Sequence, residues 1–501
     1  MVIARRLAWA IAGGVLLYAG HPPWDHAWAG YLAVVPLLLL ARDVGAVARP
    51  VRSGLGWGVV AGLVFFLPLL TWIARFGVAP WLLLALMEAL SIGAFVAIVA
   101  SWGVQRGRAV VAVIAWVGLE WLRSIIPLGG FPWGVLAYTQ HDGGPVLPVA
   151  RVLGALGVSA VLVAGAVIIE AVGVALFRRR WGALLRAGAC LLAVLLLLIA
   201  VPAPPAPTGA TVDMAAVQGN DVELPPFVDR SNTARVLDIA GRMTAVTARL
   251  AESPEGLPDV VVWPENALDS DPRTTPAVGD KVRQAQALIG DATLLAGALL
   301  DGERPSTFRN TIVRFGPGAT IAEVYDKRIL VPFGEYVPLR RLLGGLPPLR
   351  AIPSDGVIGT EPKVFDVDGA VIGPVTCYES IFGSLVRDQV REGAQVLVVS
   401  TNNASFGRTP AAPQHLAFSQ VRAVETGRWV LQAGISGISA VIDPEGTATQ
   451  ETELFTQAIV RGELPLVDRQ TFFVRAGGVI GPLSGLFTLA ALGSLLARRR
   501  A

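Results

Sequence analysis

Charge is scarce in this chain. Asp, Glu, Lys and Arg make up 16% of its 501 residues, against about 25% in ordinary soluble domains. Hydrophobic residues make up 53%, so at least part of the chain belongs in a membrane. Cysteine is almost absent. Of the two, Cys190 lies in an apolar run and Cys377 stands outside such runs, which excludes a disulfide framework. Histidine is as sparse, with only His21, His26, His141 and His415. Clustered metal ligands, a phosphate loop, repeats and low-complexity stretches are all missing. The net charge of +3 does not point to nucleic acid, because the basic residues fall in short clusters between apolar segments.

Long apolar runs are what the chain has instead. Seven are predicted in the first 200 residues, near 7–20, 27–41, 54–74, 80–102, 109–122, 152–177 and 183–201. An eighth lies at 478–497. A membrane span needs about 20 apolar residues, so the first, second and fifth are short. The first run is read as an uncleaved span, not a leader. Arginine placement sets the orientation. Alternate connections and ends hold Arg5 and Arg6; Arg42, Arg49 and Arg52; Arg106 and Arg108; Arg178, Arg179, Arg180 and Arg186; and Arg498, Arg499 and Arg500. The other short loops hold only Arg75, Arg123 and Arg151. Both ends are therefore expected in the cytoplasm, with residues 202–477 on the outer face. Glu120, near the end of the fifth span, is a functional candidate by its depth, or else an interfacial partner of Arg123. The loop 123–151 carries GGFPWG (Gly129 to Gly134), Tyr138, Gln140 and His141.

A Pro-rich linker, VPAPPAPTGAT, precedes a soluble domain that begins near Thr211. Strands are expected at 211–217, 259–263, 292–299, 310–316, 320–325, 371–376, 395–401, 429–434 and 438–442. Helices are expected at 231–252, 276–290, 380–392 and 413–427. Runs such as VVVW and VLVVS are apolar throughout, as strands covered on both faces require.

Three chemical groups each follow an apolar strand: Glu265, Lys327 and Cys377. Strand ends on one side of a sheet can converge, and active sites sit at such edges. Cys377 stands at a strand-to-helix turn, where a helix dipole would lower the thiol pKa. If the three converge, a carboxylate can take and return the thiol proton. An ammonium can steady a thiolate or an oxyanion. A thiolate attacking an acyl carbon splits acyl transfer into two steps. The plain alternatives are a buried small residue for Cys377 and a surface ion pair for Glu265 and Lys327. A Cys–His dyad would have to use His415, whose better role is to cap or pack the helix at 413–427.

The motifs WPEN (Trp263 to Asn266), YDKRILVPFGE (Tyr325 to Glu335) and CYES (Cys377 to Ser380) resemble the Glu–Lys–Cys signature of the nitrilase superfamily. The apolar spans, EWLR (Glu120 to Arg123), GFPW (Gly130 to Trp133), VQGN (Val217 to Asn220) and TNNASFG (Thr401 to Gly407) resemble the apolipoprotein N-acyltransferase family in particular. The resemblance covers nearly the whole chain. It implies a multi-span α-helical membrane domain plus an α/β nitrilase-like αββα sandwich. The expected division is 1–201, 202–477, and 478–501 as eighth span and basic tail. The resemblance implies that Glu265 is the general base, Lys327 steadies the tetrahedral intermediate and Cys377 is the nucleophile. It gives supporting roles to Glu335, Tyr378 and Glu379, and substrate contacts to Phe333, Asn403, Ser405 and Phe406. Ser405 stands where the family often has Trp, and Phe227 is the nearest match to another family Trp; both bear on donor and acceptor preference.

The sequence thus points to a cysteine acyltransferase of the cell membrane. By the resemblance, it would move a fatty acyl chain from a phospholipid to the N-terminal amine of a lipoprotein's diacylglyceryl-cysteine. It would need no metal or cofactor, bind membrane lipids but no nucleic acid, and act as a monomer. The alternative is a membrane-anchored amidase that uses water as acceptor. A transporter or scaffold is disfavoured by spans nearly free of charge. The apolar, basic stretch RRLLGGLPPLR (Arg340 to Arg350) is expected to form a lid that meets anionic headgroups.

Overall fold

The computed structural model describes residues 1–103, 105, 107–221, 233–346, 349–350 and 352–497. The chain forms two compact units: Met1–Ala203 with Arg475–Ala501, and Pro204–Val474.

The first unit is helical. Its elements are α1 (Val2–Ala19), α2 (Ala27–Leu32), α3 (Val34–Val44), α4 (Pro50–Leu69), α5 (Val78–Trp102), α6 (Arg108–Arg123), α7 (Ala150–Phe177), α8 (Trp181–Ile199) and a C-terminal helix, Ile480–Ala497. Each predicted apolar run lies on one of these helices, or on the closely joined pair α2–α3. Six stretches are long and apolar enough to cross a membrane, α2–α3 counting as one and α7 with the turn before it as another. The 16 residues of α6 and the Ile480–Leu495 stretch are shorter. The outer face of α5 exposes Leu82, Leu83, Leu86 and Leu90, as a helix facing hydrocarbon should.

Helices in lipid pack through small residues, because hydrocarbon is as apolar as leucine. Gly54, Gly58 and Gly62 put such a stripe on α4. A Cβ at these positions would stand 2.8, 2.7 and 2.6 Å from the Cα atoms of Ala97, Gly93 and Ala89 on α5. Several charges inside are paired. Glu170 takes Arg108 at 2.8 Å and Arg42 at 3.0 Å. Arg123 pairs with Glu88 at 3.0 Å, not with Glu120, and donates to the Trp133 carbonyl at 2.5 Å. Glu120 Oε1 accepts the Leu136 N–H at 2.8 Å. The EWLR residues therefore hold the GFPW loop in place. Of the two readings of Glu120, the pairing with Arg123 is not found, since Arg123 pairs with Glu88.

The second unit is a four-layer α/β sandwich. Its strands are β1 (Thr211–Gln218), β2 (Val260–Leu268), β3 (Thr293–Asp301), β4 (Thr307–Gly316), β5 (Thr320–Asp326), β6 (Asp355–Gly356), β7 (Phe365–Val367), β8 (Ala370–Thr376), β9 (Val396–Thr401), β10 (Val430–Gly434), β11 (Ala440–Ile442), β12 (Ala448–Thr449) and β13 (Ala458–Pro465). One sheet runs β13-β1-β2-β3-β4-β5, with β6 beside β4, and the other runs β12-β11-β10-β9-β8-β7. Every strand expected from the sequence is present. Strand β13, which the sequence pattern does not announce, pairs antiparallel with β1.

The two sheets meet through Met214, Val260, Val262, Ile372, Val398 and Leu431. Helices α9 (Thr233–Ala251) and α10 (Pro276–Ile289) cover the first sheet. The buried stripe of α9 is Val236, Ile239, Ala240, Met243, Val246 and Leu250, the three-and-four spacing of a helix face. A four-residue helix, α11 (Arg340–Leu343), follows the VPFGE segment. Helices α12 (Gly383–Arg391) and α13 (Ala411–Thr426) belong to the second sheet. The latter is buried along its whole length.

Candidate active site

Strand β2 is parallel to β3, and β8, β9 and β10 are parallel to one another. Their carboxyl ends face one edge of the sandwich, which is where ligands meet α/β sheets. Glu265 and Cys377 each leave the ladder there by a local irregularity.

For Glu265 the irregularity is a bulge. Trp263 pairs with Ala296 and Leu268 with Ala298, so the four residues 264–267 stand opposite the single Gly297. A Cβ on Gly297 would lie 2.5 Å from the Glu265 Cα and from the Pro264 carbonyl oxygen. Only glycine leaves room for Glu265 to turn out of the strand. For Cys377 it is backbone strain. Its φ of +45° is left-handed, a conformation that costs a residue with a side chain about 1–3 kcal/mol. Lys327 follows the last residue of β5, and its N–H donates to the Asn310 carbonyl at 2.9 Å.

The three groups meet. Lys327 Nζ donates to Glu265 Oε1 at 2.9 Å and to Glu335 Oε1 at 3.0 Å, and all three side chains are largely buried. Asn310, on β4, ties the carboxylates together. Its Nδ2 lies 2.8 Å from Glu265 Oε1 and 2.5 Å from Glu335 Oε1. The other oxygen of Glu265 accepts the Asn402 N–H at 3.0 Å. The Glu265 charge also acts on the Cys377 thiol. Thr401 Oγ1 lies 3.3 Å from Cys377 Sγ. Glu265 and Lys327 thus form a buried pair and not the surface pair that was the plain alternative.

The charges follow from this packing. Burial alone would raise Glu265, but the Lys327 ammonium and the Asn310 amide hold it below the usual carboxylate range. Burial alone would lower Lys327, but Glu265 and Glu335 raise it instead. Burial and then the Glu265 charge push Cys377 up to about 12. This corrects the expectation of a lowered thiol pKa. The helix after β8 is a single 3-10 turn, Cys377–Ile381, and α12 starts only at Gly383. So short a turn has little dipole to offer. A thiol raised this far is neutral in the physiological range, beside a paired carboxylate and ammonium.

The supporting residues divide by task. Glu335 Oε2 accepts the Val331 N–H at 2.7 Å, which fixes the VPFGE turn. Glu379 accepts from the Thr376 N–H at 2.8 Å, the Arg328 N–H at 2.5 Å and the Tyr325 hydroxyl at 3.0 Å. It therefore ties the Cys377 turn to the Lys327 segment, and burial pushes it up to about 7. Tyr378 packs edge-on against Phe382 at 5.3 Å. Asn403 is buried, with Oδ1 3.3 Å from Thr401 Oγ1, and Ser405 and Phe406 are half-buried on the next turn. Phe333 is exposed with φ +61°. Phe227 lies outside the described residues.

His415 is buried on α13. Its Nε2 lies 3.1 Å from the Cys377 carbonyl oxygen, and its ring packs edge-on against Phe418. It supports the Cys377 backbone, and burial lowers it to about 4. In the Arg340–Arg350 stretch, Arg340 pairs with Asp355 by two bonds of 2.7 and 2.5 Å. Leu342 and Leu346 are 76% and 51% exposed, while Pro347 and Pro348 lie outside the described residues. Asn310 escapes a reading of the sequence, since a lone Asn inside an apolar strand carries no distinctive spacing.

The family model described as the apolipoprotein N-acyltransferase N-terminal domain matches residues 13–168, and the carbon–nitrogen hydrolase model matches residues 215–472. An apolipoprotein N-acyltransferase of Mycolicibacterium smegmatis is 35% identical, over 95% of this chain and 82% of its own. One of Brucella melitensis is 30% identical, over 99% and 97%. A nitrilase-superfamily amidase from Nesterenkonia AN1 aligns over 53% of this chain and 95% of its own, with 18% identity and a TM-score of 0.35.

Proposed function

This chain belongs to the apolipoprotein N-acyltransferase family, and from that premise we propose a two-step acyl transfer carried by Glu265, Lys327 and Cys377. It is a membrane acyltransferase of lipoprotein maturation. The donor is a membrane phospholipid. The acceptor is the N-terminal amine of a lipoprotein's diacylglyceryl-cysteine. The observation that carries the proposal is the buried cluster in which the Cys377 thiol, the Glu265 and Glu335 carboxylates and the Lys327 ammonium stand together.

The chemistry follows from the charges. Glu265 takes the Cys377 proton as Sγ attacks the ester carbonyl. Lys327 Nζ holds the oxyanion that forms, a contribution of about 10² to 10³ in rate for one such donor. The intermediate collapses, the C–O bond breaks, and Glu265 returns the proton to the departing lysophospholipid hydroxyl. The acyl group is left as a thioester on Cys377. The lipoprotein amine then attacks that carbonyl and gives a proton to Glu265. The thiolate leaves and takes the proton back. A lipid donor and a protein acceptor never need to share one carbonyl, and ping-pong kinetics result.

The test supplies purified protein with labelled phospholipid, with and without a lipoprotein peptide. Without acceptor, one acyl mass should appear on the Cys377 peptide, removable by hydroxylamine and absent in Cys377→Ala. With acceptor, the label should pass to the peptide's amine. Release of free fatty acid in place of transfer would favour an amidase that uses water. An adduct that survives Cys377→Ala would overturn the assignment.

A further inference from the structure

Glu265 is held at both oxygens, and the two are not equivalent. Oε1 receives Lys327 and Asn310, while Oε2 receives, among the described residues, the Asn402 N–H alone at 3.0 Å. Two donors, one of them a cation, make Oε1 the weaker proton acceptor. Oε2 is therefore the oxygen suited to take the thiol proton, and its aim depends on where the Asn402 backbone stands.

That backbone is fixed by a hydrogen-bond chain. Asn402 Oδ1 accepts the Ala404 N–H at 2.9 Å, and Asn402 Nδ2 donates to Asn266 Oδ1 at 3.0 Å. Asn266 Nδ2 donates to Asp269 Oδ1 at 3.2 Å. Asp269 Oδ2 accepts Arg235 Nη1 at 2.8 Å, and Arg235 Nη2 reaches Asp221 Oδ2 at 2.5 Å. Asn266, Asp269 and Asp221 are buried. Its directions are fixed, with donation running from both ends to Asp269, which accepts from Asn266 and from Arg235. A guanidinium at one end can only donate, and so can the backbone N–H at the other, so neither amide can flip without breaking two bonds. Asn266 also sits at φ +61°, which turns its side chain away from the strand directly after Glu265.

We propose that Asn266 is a positioning residue for proton transfer: its amide pins the 402–404 turn so that the Asn402 N–H aims Glu265 Oε2 at the thiol. Asp269 and Arg235 lock the amide's direction. The proposal deepens the acyl-transfer reading and rests on it for its chemistry, but its geometry stands apart from any substrate.

The test is a double-mutant cycle on the full-length protein, read by iodoacetamide alkylation of the Cys377 peptide at pH 7. Asn266→Gly keeps the left-handed backbone accessible while it removes the amide. Alkylation should fall about 10- to 100-fold, the usual effect of a misplaced general base. In a Glu265→Gln background the same change should have no further effect, because the residue acts only through that carboxylate. The conservative Asp269→Asn should give a smaller loss in the same direction, likewise absent with Glu265→Gln, and it decides the matter where Asn266→Gly does not fold. A rate within twofold of the parent, or an equal loss with and without Glu265, would overturn the proposal. Acyl-adduct formation should fall in parallel with an unchanged KM for phospholipid. If the parent protein forms no adduct while the alkylation cycle behaves as stated, the acyl-transfer reading fails and the positioning role stands.

Discussion

A buried thiol beside a carboxylate stays protonated unless its proton has somewhere to go, and in the proposed mechanism that place, for Cys377, is Glu265. The two shifts together predict a pH profile. Glu265 is held below the ordinary carboxylate value of about 4.3, so it is ionised and ready through the neutral range. Alkylation of Cys377 should then be nearly flat from about pH 6 to 9. It should fall only as acid protonates Glu265, the side on which a depressed carboxylate loses its role. In Glu265→Gln the flat region should vanish. The rate should climb close to tenfold per pH unit, because only the rare free thiolate reacts. His415→Ala should keep the flat profile, since the imidazole bonds the Cys377 carbonyl and not its sulfur. A flat profile in Glu265→Gln, or one lost in His415→Ala, would move the base from Glu265 to His415.

Between single residues and the whole fold, the bulge in β2 decides whether the base reaches the thiol. It depends on Gly297, whose missing Cβ is the space that Glu265 and Pro264 occupy. Gly297→Ala should push the bulge by a few tenths of an ångström or more. That should cost about 10²-fold in the rate of Cys377 acylation, the usual effect of misplacing a reacting group. The protein should still fold, because the rest of the β3–β4 ladder is unchanged. Unaltered acylation in a folded Gly297→Ala protein would show that the bulge tolerates the shift. Elements of this kind mark what is legible in the sequence. Apolar strands such as VLVVS announce themselves because both faces are covered. The groups Glu265, Lys327 and Cys377 can be picked out because each follows such a strand. The bulge, the 3-10 turn and the Asn310 clamp arise from pairing across strands, which no local pattern encodes. The turn matters most, since reading it as a full helix gives the wrong direction for the thiol. Strand β13 escapes because AIVRGELP places Arg461, Gly462 and Glu463 inside an edge strand, where solvent tolerates them.

At the scale of the whole molecule, one catalytic unit is strung between two apolar stretches, α8 before it and Ile480–Ala497 after it. Which side of the membrane it faces is set by where positive charge is left behind during insertion. Arg178, Arg179, Arg180 and Arg186 cluster at the start of α8, and the linker after it carries no Lys or Arg from Val201 to Thr211. Arg498, Arg499 and Arg500 follow the last apolar segment. The positive-inside bias therefore predicts that the start of α8 and the chain's end stay in the cytoplasm, and that Pro204–Val474 is sent outward. An alkaline phosphatase reporter, active only outside the cytoplasm, should be active when fused after Gly209 and silent when fused after Arg180. Replacing Arg178, Arg179 and Arg180 with Glu should weaken that difference. The opposite pattern of reporter activity would place the site on the cytoplasmic face.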